Sequence, residues 1–309
     1  LPLDFLQNRE PKLRADDLTP VEWEADPELE WCPPGHGDIY TALLASGLLD
    51  TLLDKGYRYA MTANSDNLGA APSARIAGWF AASGAPYAPE MCRRTPADVK
   101  GGHLAVRKSD GRIILRDTAQ TPADEMRFFT DQYRHPFFHT NNLWFDLEVL
   151  RDMLVARKGI LGLPLIKNAK TVDPADSSST PVIQLETAMG AAVEAFEGAT
   201  AIEVPRSRFL PVKTTNDLLL VRSDVYEVDD DGLLQMVPER ACTVNLDPRF
   251  YKKIQDFEAR FPDGVPSIKD AQSLTVEGDW TFGADVVATG EAHVEAGGSP
   301  GRIADGARI

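Results

Sequence analysis

Arg58-Tyr59-Ala60-Met61-Thr62-Ala63-Asn64-Ser65-Asp66-Asn67 is the stretch whose reading decides the fold. Its first six residues are apolar in the middle and bounded by Gly56 and a polar run, the pattern of a buried strand that ends in a loop. Asp66 then sits just beyond a strand. Upstream, Leu43, Leu44, Leu48 and Leu52 follow helical spacing after Asp38, a candidate N-cap. Downstream, Ile76, Trp79 and Phe80 support a helix from Pro72 to Ala82. Strand and helix therefore alternate as in an open α/β sheet, where ligands bind at the carboxyl ends of strands.

Further along, Gly101 to Val106 and Arg112 to Leu115 predict strands of a hairpin turning at Ser109-Asp110-Gly111. Leu147 to Val155 predicts a helix, Asp173 to Thr180 a mobile polar loop, and Val182 to Phe196 another helix. Asp217 to Val221 suits a helix start or a buried strand equally. Composition changes near Tyr226, and from Leu274 onward alternating apolar residues are separated by glycines, as in a short β-solenoid or a β-meander.

Composition narrows the function. The 309 residues carry 47 acidic against 32 basic side chains, a formal charge of −15, which repels phosphate backbones and anionic lipid at long range. Nucleic acid and membrane surfaces are therefore not expected partners. Apolar residues at 43% and charged residues at 26% are globular averages and exclude a disordered chain. Cys32, Cys92 and Cys242 form neither a disulfide framework nor a zinc pattern, which predicts a reducing, cytoplasmic setting.

Four segments have the chemistry of a site. Pro33-Pro34-Gly35-His36-Gly37-Asp38 brings glycine backbone and a histidine to a helix start, suited to an anion or to a simple capped turn. Asn64-Ser65-Asp66-Asn67 offers a carboxylate among amides, for Mg²⁺ beside phosphates or for an Asx-turn. Lys213 lies in the one basic, Pro-stiffened loop, from Pro205 to Thr215, and serves phosphate neutralisation or surface ion pairing. His139-Thr140-Asn141-Asn142-Leu143-Trp144 places adjacent amides before an apolar helix start, for sugar hydroxyls or for N-capping.

These blocks occur in one order together with Asp66-Asn67-Leu68-Gly69-Ala70, Asp98-Val99-Lys100-Gly101-Gly102, Gln184-Leu185-Glu186-Thr187-Ala188 and Val204 to Leu220. In that order the chain resembles the eukaryotic-type UTP–glucose-1-phosphate uridylyltransferases over nearly its whole length. The resemblance implies a Rossmann-like α/β nucleotidyltransferase domain, a mixed sheet flanked by helices, over residues 1–226. A linker and a C-terminal left-handed β-helix would follow over residues 227–309. It implies uridylyl transfer from UTP to glucose 1-phosphate with Mg²⁺, giving UDP-glucose and pyrophosphate.

Position by position, the resemblance makes Gln7 a uracil contact and Gly35 and His36 contacts to nucleotide and sugar phosphate. Asp66 becomes the metal carboxylate, with Asn64 beside it among the nucleotide contacts, and Lys213 the phosphate lysine. Gly102 and Asn141 become sugar-hydroxyl contacts. Asp117 and His139 stand where the family usually has Glu and Asn, both toward the sugar, so sugar selectivity is left open. The family's Gly-rich nucleotide loop, with its own lysine, is expected upstream of Leu1. Competing readings are a non-catalytic sugar-nucleotide binder or assembly protein, a UDP-sugar pyrophosphorylase of other selectivity and, last, an acyltransferase built on the solenoid. Self-association through the β-helix is a further expectation.

Overall fold

The decisive strand forms over Tyr59–Thr62 and is one edge of a four-stranded mixed sheet. The computed structural model describes residues 1–94, 98, 101–118 and 121–309. Val99 and Lys100 of the blocks quoted above lie outside these. By contacts the chain divides into two compact units, one of residues 1–63 and 72–205, the other of residues 64–71 and 206–309.

In the first unit the sheet runs Ile202–Glu203, Tyr87–Arg93, Phe137–Asp146, Tyr59–Thr62. Only the first pair is parallel, and the long central strand is antiparallel to both neighbours. The sheet's apolar side chains pack on the predicted helices: Leu143 and Phe145 share one buried cluster with Tyr40, Leu43, Leu150 and Leu154. The helix at Leu147–Ala156 is capped by Asp146, whose carboxylate accepts from the Glu148 and Val149 N–H groups. The helix at Ala74–Ser83 starts on the Ser73 hydroxyl. The hairpin forms as His103–Val106 with Ile113–Arg116.

Three readings are corrected. Val182 to Phe196 is not a helix: Pro181–Thr187 is a strand paired with Leu165–Thr171 and Leu13–Arg14, and a 3₁₀ turn follows over Met189–Glu194. Cross-strand pairing outcompetes the helical spacing of its apolar residues, as tertiary context routinely does. The His139-to-Trp144 amides do not cap a helix but lie inside the central strand. Asp38 does not cap the helix it precedes; its carboxylate accepts from the Asn8 N–H and Nδ2, each at 2.8 Å. The polar loop at Asp173–Thr180 is the turn of the 165–187 hairpin, closed by the Val172 N–H on the Thr180 carbonyl and by a buried Ser179.

In the second unit, Asp217 starts a helix at Thr215–Arg222 through a capping box with Thr214, which resolves the ambiguity there. Leu219 and Val225 lie in this unit's core with Tyr251, Phe257, Leu274 and Phe282, so its packing begins upstream of the composition change near Tyr226. The strands Thr243–Leu246, Ala271–Val276 and Gly290–Val294 pair in parallel, as do Trp280–Phe282 and Gly301–Ile303. Parallel pairing of sequential strands rules out a meander, whose neighbours are antiparallel. No helix among the described residues is long and apolar enough to cross a membrane.

Candidate functional site

Pro34 and Gly35 lie on the end of the 181–187 strand. The Thr187 N–H donates to the Pro34 carbonyl at 2.8 Å, and Gly35 takes φ +81° so close to it that a Cβ would stand 2.6 Å from the Thr187 oxygen. Only glycine fits both demands. Gln7 Nε2 donates to the Gly35 carbonyl at 3.0 Å, which ties the Pro-rich N-terminal segment to this turn.

His36 follows, and its Nδ1 accepts from the Met189 N–H at 2.9 Å. The neutral ring therefore carries its proton on Nε2. Burial pushes the His36 pKa below the usual histidine value, against Glu186 and Asp117, whose charges raise it. His36 is thus a neutral donor near neutral pH. The Met189 turn that orients it is held from behind by two buried tyrosines, since the Tyr40 and Tyr87 hydroxyls donate to the Met189 carbonyl at 2.8 and 3.2 Å.

Gly102 and Asp117 meet at the base of the hairpin, where a Cβ on Gly102 would lie 3.1 Å from Asp117 Oδ2. The Gly102 carbonyl accepts from the His139 N–H at 2.8 Å. Two residues on, Asn141 adopts φ +66°. There the pairing register shifts, with Pro89 opposite Leu143 but Met91 opposite His139, so three residues bulge over one. The bulge is closed on its buried side by Glu90. Its carbonyl accepts from Thr140 Oγ1, its Oε2 from Asn142 Nδ2 at 3.0 Å and its Oε1 from Trp144 Nε1 at 2.9 Å. Glu90 escaped sequence reasoning because a lone glutamate in Ala88-Pro89-Glu90-Met91 has no local signature. In the first unit these residues are joined through shared neighbours: the Met189–Gly190 turn touches both His36 and the His139 ring, His139 bonds Gly102 and Asn141, Asp117 lies against Gly102, and Gln7 bonds Gly35. A cavity of about 370 Å³ beside Met91, His103 and His135 is lined by none of them.

In the second unit, Asp66 and Lys213 meet: Lys213 Nζ donates to Asp66 Oδ2 at 2.8 Å. The backbone brings them together, with the Val212 N–H on the Asp66 carbonyl and the Leu68 N–H on the Leu210 carbonyl. Asn67 is buried as the staple, its Oδ1 accepting from the Gly69 and Leu210 N–H groups and its Nδ2 donating to the Arg208 carbonyl. The carbonyl of Asn64 accepts from the Asn67 N–H at 3.0 Å. Asp217 accepts from the Lys213 and Thr214 N–H groups, fixing the lysine's backbone at the helix start.

As a metal centre, Asp66 contributes one carboxylate. Among the described residues no group of three or more His, Cys, Asp or Glu side chains could hold an ion. A lone carboxylate suits a cation completed by phosphate oxygens and water, which is how Mg²⁺ is ordinarily held beside nucleotides.

A family model described as UTP–glucose-1-phosphate uridylyltransferase matches residues 3–288. Proteins of that name from Solanum tuberosum and Saccharomyces cerevisiae are each 40% identical, over 99% and 93% of this chain and 63% and 56% of their own lengths. Among solved structures, UDP-glucose pyrophosphorylase from Leishmania major in complex with UDP-glucose matches with TM-score 0.87 at 45% identity, over 98% of this chain and 66% of that one. A UDP-glucose phosphorylase from Trypanosoma brucei matches with TM-score 0.85 at 46% identity, with the same coverage. The chain thus spans somewhat under two thirds of the length of the relatives it matches.

Proposed function

The chain belongs to the UTP–glucose-1-phosphate uridylyltransferase family, and from that premise we propose that the intact protein makes UDP-glucose and pyrophosphate from UTP and glucose 1-phosphate. The observation that carries the reading is the Asp66–Lys213 pair, a carboxylate and an ammonium joined across 147 residues of sequence. A phosphate oxygen of the sugar phosphate attacks the α-phosphorus of UTP, the bond to the bridging oxygen breaks, and pyrophosphate leaves with the electron pair. No protein nucleophile is needed, so catalysis is positioning and charge neutralisation.

Lys213 neutralises phosphate charge. His36, a neutral Nε2 donor, hydrogen-bonds phosphate together with Gly35 backbone, Gln7 orients the uracil, and Asn64 lines the nucleotide side. Gly102, Asn141 and Asp117 hold sugar hydroxyls. Asp66 would hold Mg²⁺, which when bound screens charge on the phosphates. Such contacts tell most where they strengthen in the transition state.

We assign this chemistry to residues 1–226 and read residues 227–309 as a linker and a left-handed β-helix. The parallel strand pairs of the second unit support that reading, and self-association is assigned to the same helix. We read the protein as cytoplasmic, a reading that its three buried, unbridged cysteines support. Coupled pyrophosphate-release assays on the intact protein test the activity. Turnover with UTP, glucose 1-phosphate and Mg²⁺ is expected; none at saturating substrates would leave a sugar-nucleotide binder, and faster turnover with another sugar 1-phosphate would move the selectivity.

A further inference from the structure

We infer that His139 is a positioning residue that holds the two sugar-binding groups, Gly102 and Asn141, in one arrangement. The inference rests on the proposed sugar site and adds to it the device that shapes it. His139 touches both groups at once: its backbone N–H donates to the Gly102 carbonyl at 2.8 Å, and its ring Nδ1 accepts from the Asn141 N–H at 3.1 Å.

Asn141 needs that partner. A left-handed φ of +66° is costly for a residue with a side chain and persists where surrounding groups over-determine it. Within the bulge, the Asn141 N–H points to the imidazole two residues back. The bond is the histidine counterpart of an Asx-turn, in which a side-chain acceptor captures the N–H of the second residue onward.

The ring is built into its place. A Cβ on Gly190 would lie 2.7 Å from His139 Cε1 and 3.1 Å from Nε2, so the imidazole occupies space that any other residue at 190 would fill. With Nδ1 accepting, the neutral ring keeps its proton on Nε2, which is buried and without a partner among the described residues. Burial, helped by the neighbouring His36, lowers the His139 pKa to about 4, so the acceptor lone pair is present at neutral pH. An asparagine at 139 would supply the same acceptor through its side-chain oxygen; a leucine would fill similar space and supply none.

Steady-state kinetics of the intact wild type, His139→Asn and His139→Leu, with each substrate varied, test the role. His139→Leu is expected to raise the KM for glucose 1-phosphate about tenfold while leaving the KM for UTP unchanged, and His139→Asn to restore it to within about threefold. Equal rises in both KM values, no change at all, or an asparagine variant as impaired as the leucine one would overturn the inference. A second readout is independent of turnover. Nitrogen-15 spectra of the histidine-labelled wild type at neutral pH are expected to show His139 protonated on Nε2 alone, and a proton on Nδ1 overturns the inference. A wild type inactive on these substrates with that ring signature intact would indict the proposed function and not the His139–Asn141 bond.

Discussion

Lys213 Nζ lies 2.8 Å from Asp66 Oδ2, and the two side chains remain 61% and 32% exposed. An exposed ion pair contributes roughly 0–1 kcal/mol to folding, so stability gives little reason to bring these residues together. In the proposed reaction the lysine faces polyphosphate charge instead. Lys213→Ala is therefore expected to lower kcat about a hundredfold to a thousandfold, the usual cost of a lost transition-state charge contact, with little change in melting temperature. Near-wild-type turnover would remove Lys213 from phosphate neutralisation, and a collapse in melting temperature would make it a packing residue.

Asp66→Asn separates the carboxylate's two partners. The amide still accepts from Lys213 but loses the charge a hard divalent cation requires. The Mg²⁺ concentration at half-maximal rate is expected to rise about tenfold or more, with folding unaltered, as read in a metal titration of the intact protein. An unchanged titration curve would exclude Asp66 as the metal carboxylate.

Glu90 predicts a different failure. It is fully buried and accepts from the Asn142 amide and the Trp144 indole. Glu90→Leu keeps bulk but removes the carboxylate that accepts from both donors in the interior, at about 1–3 kcal/mol for each lost bond. A loss of about 2–5 kcal/mol in denaturant unfolding is expected, with the bulge around Asn141 affected first. A variant as stable as wild type would mean that the bulge does not depend on this carboxylate.

Much of this arrangement was legible beforehand, and the failures have common physical roots. The strand at 59–62, the 103–116 hairpin and the helices at 74–83 and 147–156 follow from local period, caps and turn residues, and all four form. Val182 to Phe196 misled because apolar residues spaced for a helix were claimed by pairing with Leu165–Thr171, a contact between segments that no local pattern records. Asp66 and Lys213 stand out locally, as a carboxylate just past a strand and a lysine in the one basic loop, and the family resemblance supplies their roles. Their mutual contact depends on Asn67 bonding to Arg208 and Leu210, which is likewise non-local. The same holds for Glu90 and Gly190, whose importance lies wholly in what packs against them.

Two histidines make acid stability informative. Burial first, then His135, Arg94 and Arg116, hold His103 down to about 3, and burial with His36 holds His139 at about 4. In the unfolded chain both titrate near 6.5. Between those values the unfolded chain binds protons that the folded chain refuses, so stability is complete above about pH 6.5 and falls as the pH drops toward 3. Each group adds a slope of at most about 1.4 kcal/mol per pH unit. His103→Phe, which keeps an aromatic ring against Phe129 and His135, is expected to flatten the decline of unfolding free energy between pH 6 and 4 relative to wild type. Parallel curves for the two proteins would mean that His103 is protonated in the folded state.

Gly69 tests the loop that carries Asp66. A Cβ there would lie 2.3 Å from the Ser207 carbonyl oxygen and 2.7 Å from the Arg208 carbonyl carbon. Both are backbone atoms, so relief requires the 64–71 segment to part from the 207–210 segment, against the Asn67 bonds and the Arg208 guanidinium on the Ala71 carbonyl. Overpacking of this kind typically costs about 1–3 kcal/mol. Because Asp66 and Lys213 stand on opposite sides of the contact, Gly69→Ala should also separate them. Turnover is expected to fall by at least about tenfold, since a displacement of about 1 Å among positioned groups can cost a hundredfold. The decisive comparison is the double variant Gly69→Ala with Lys213→Ala. If Gly69 acts by placing Asp66 against the lysine, its substitution lowers the rate much less once Lys213 is absent; full additivity would show that Gly69 acts on the rate independently of the Asp66–Lys213 contact.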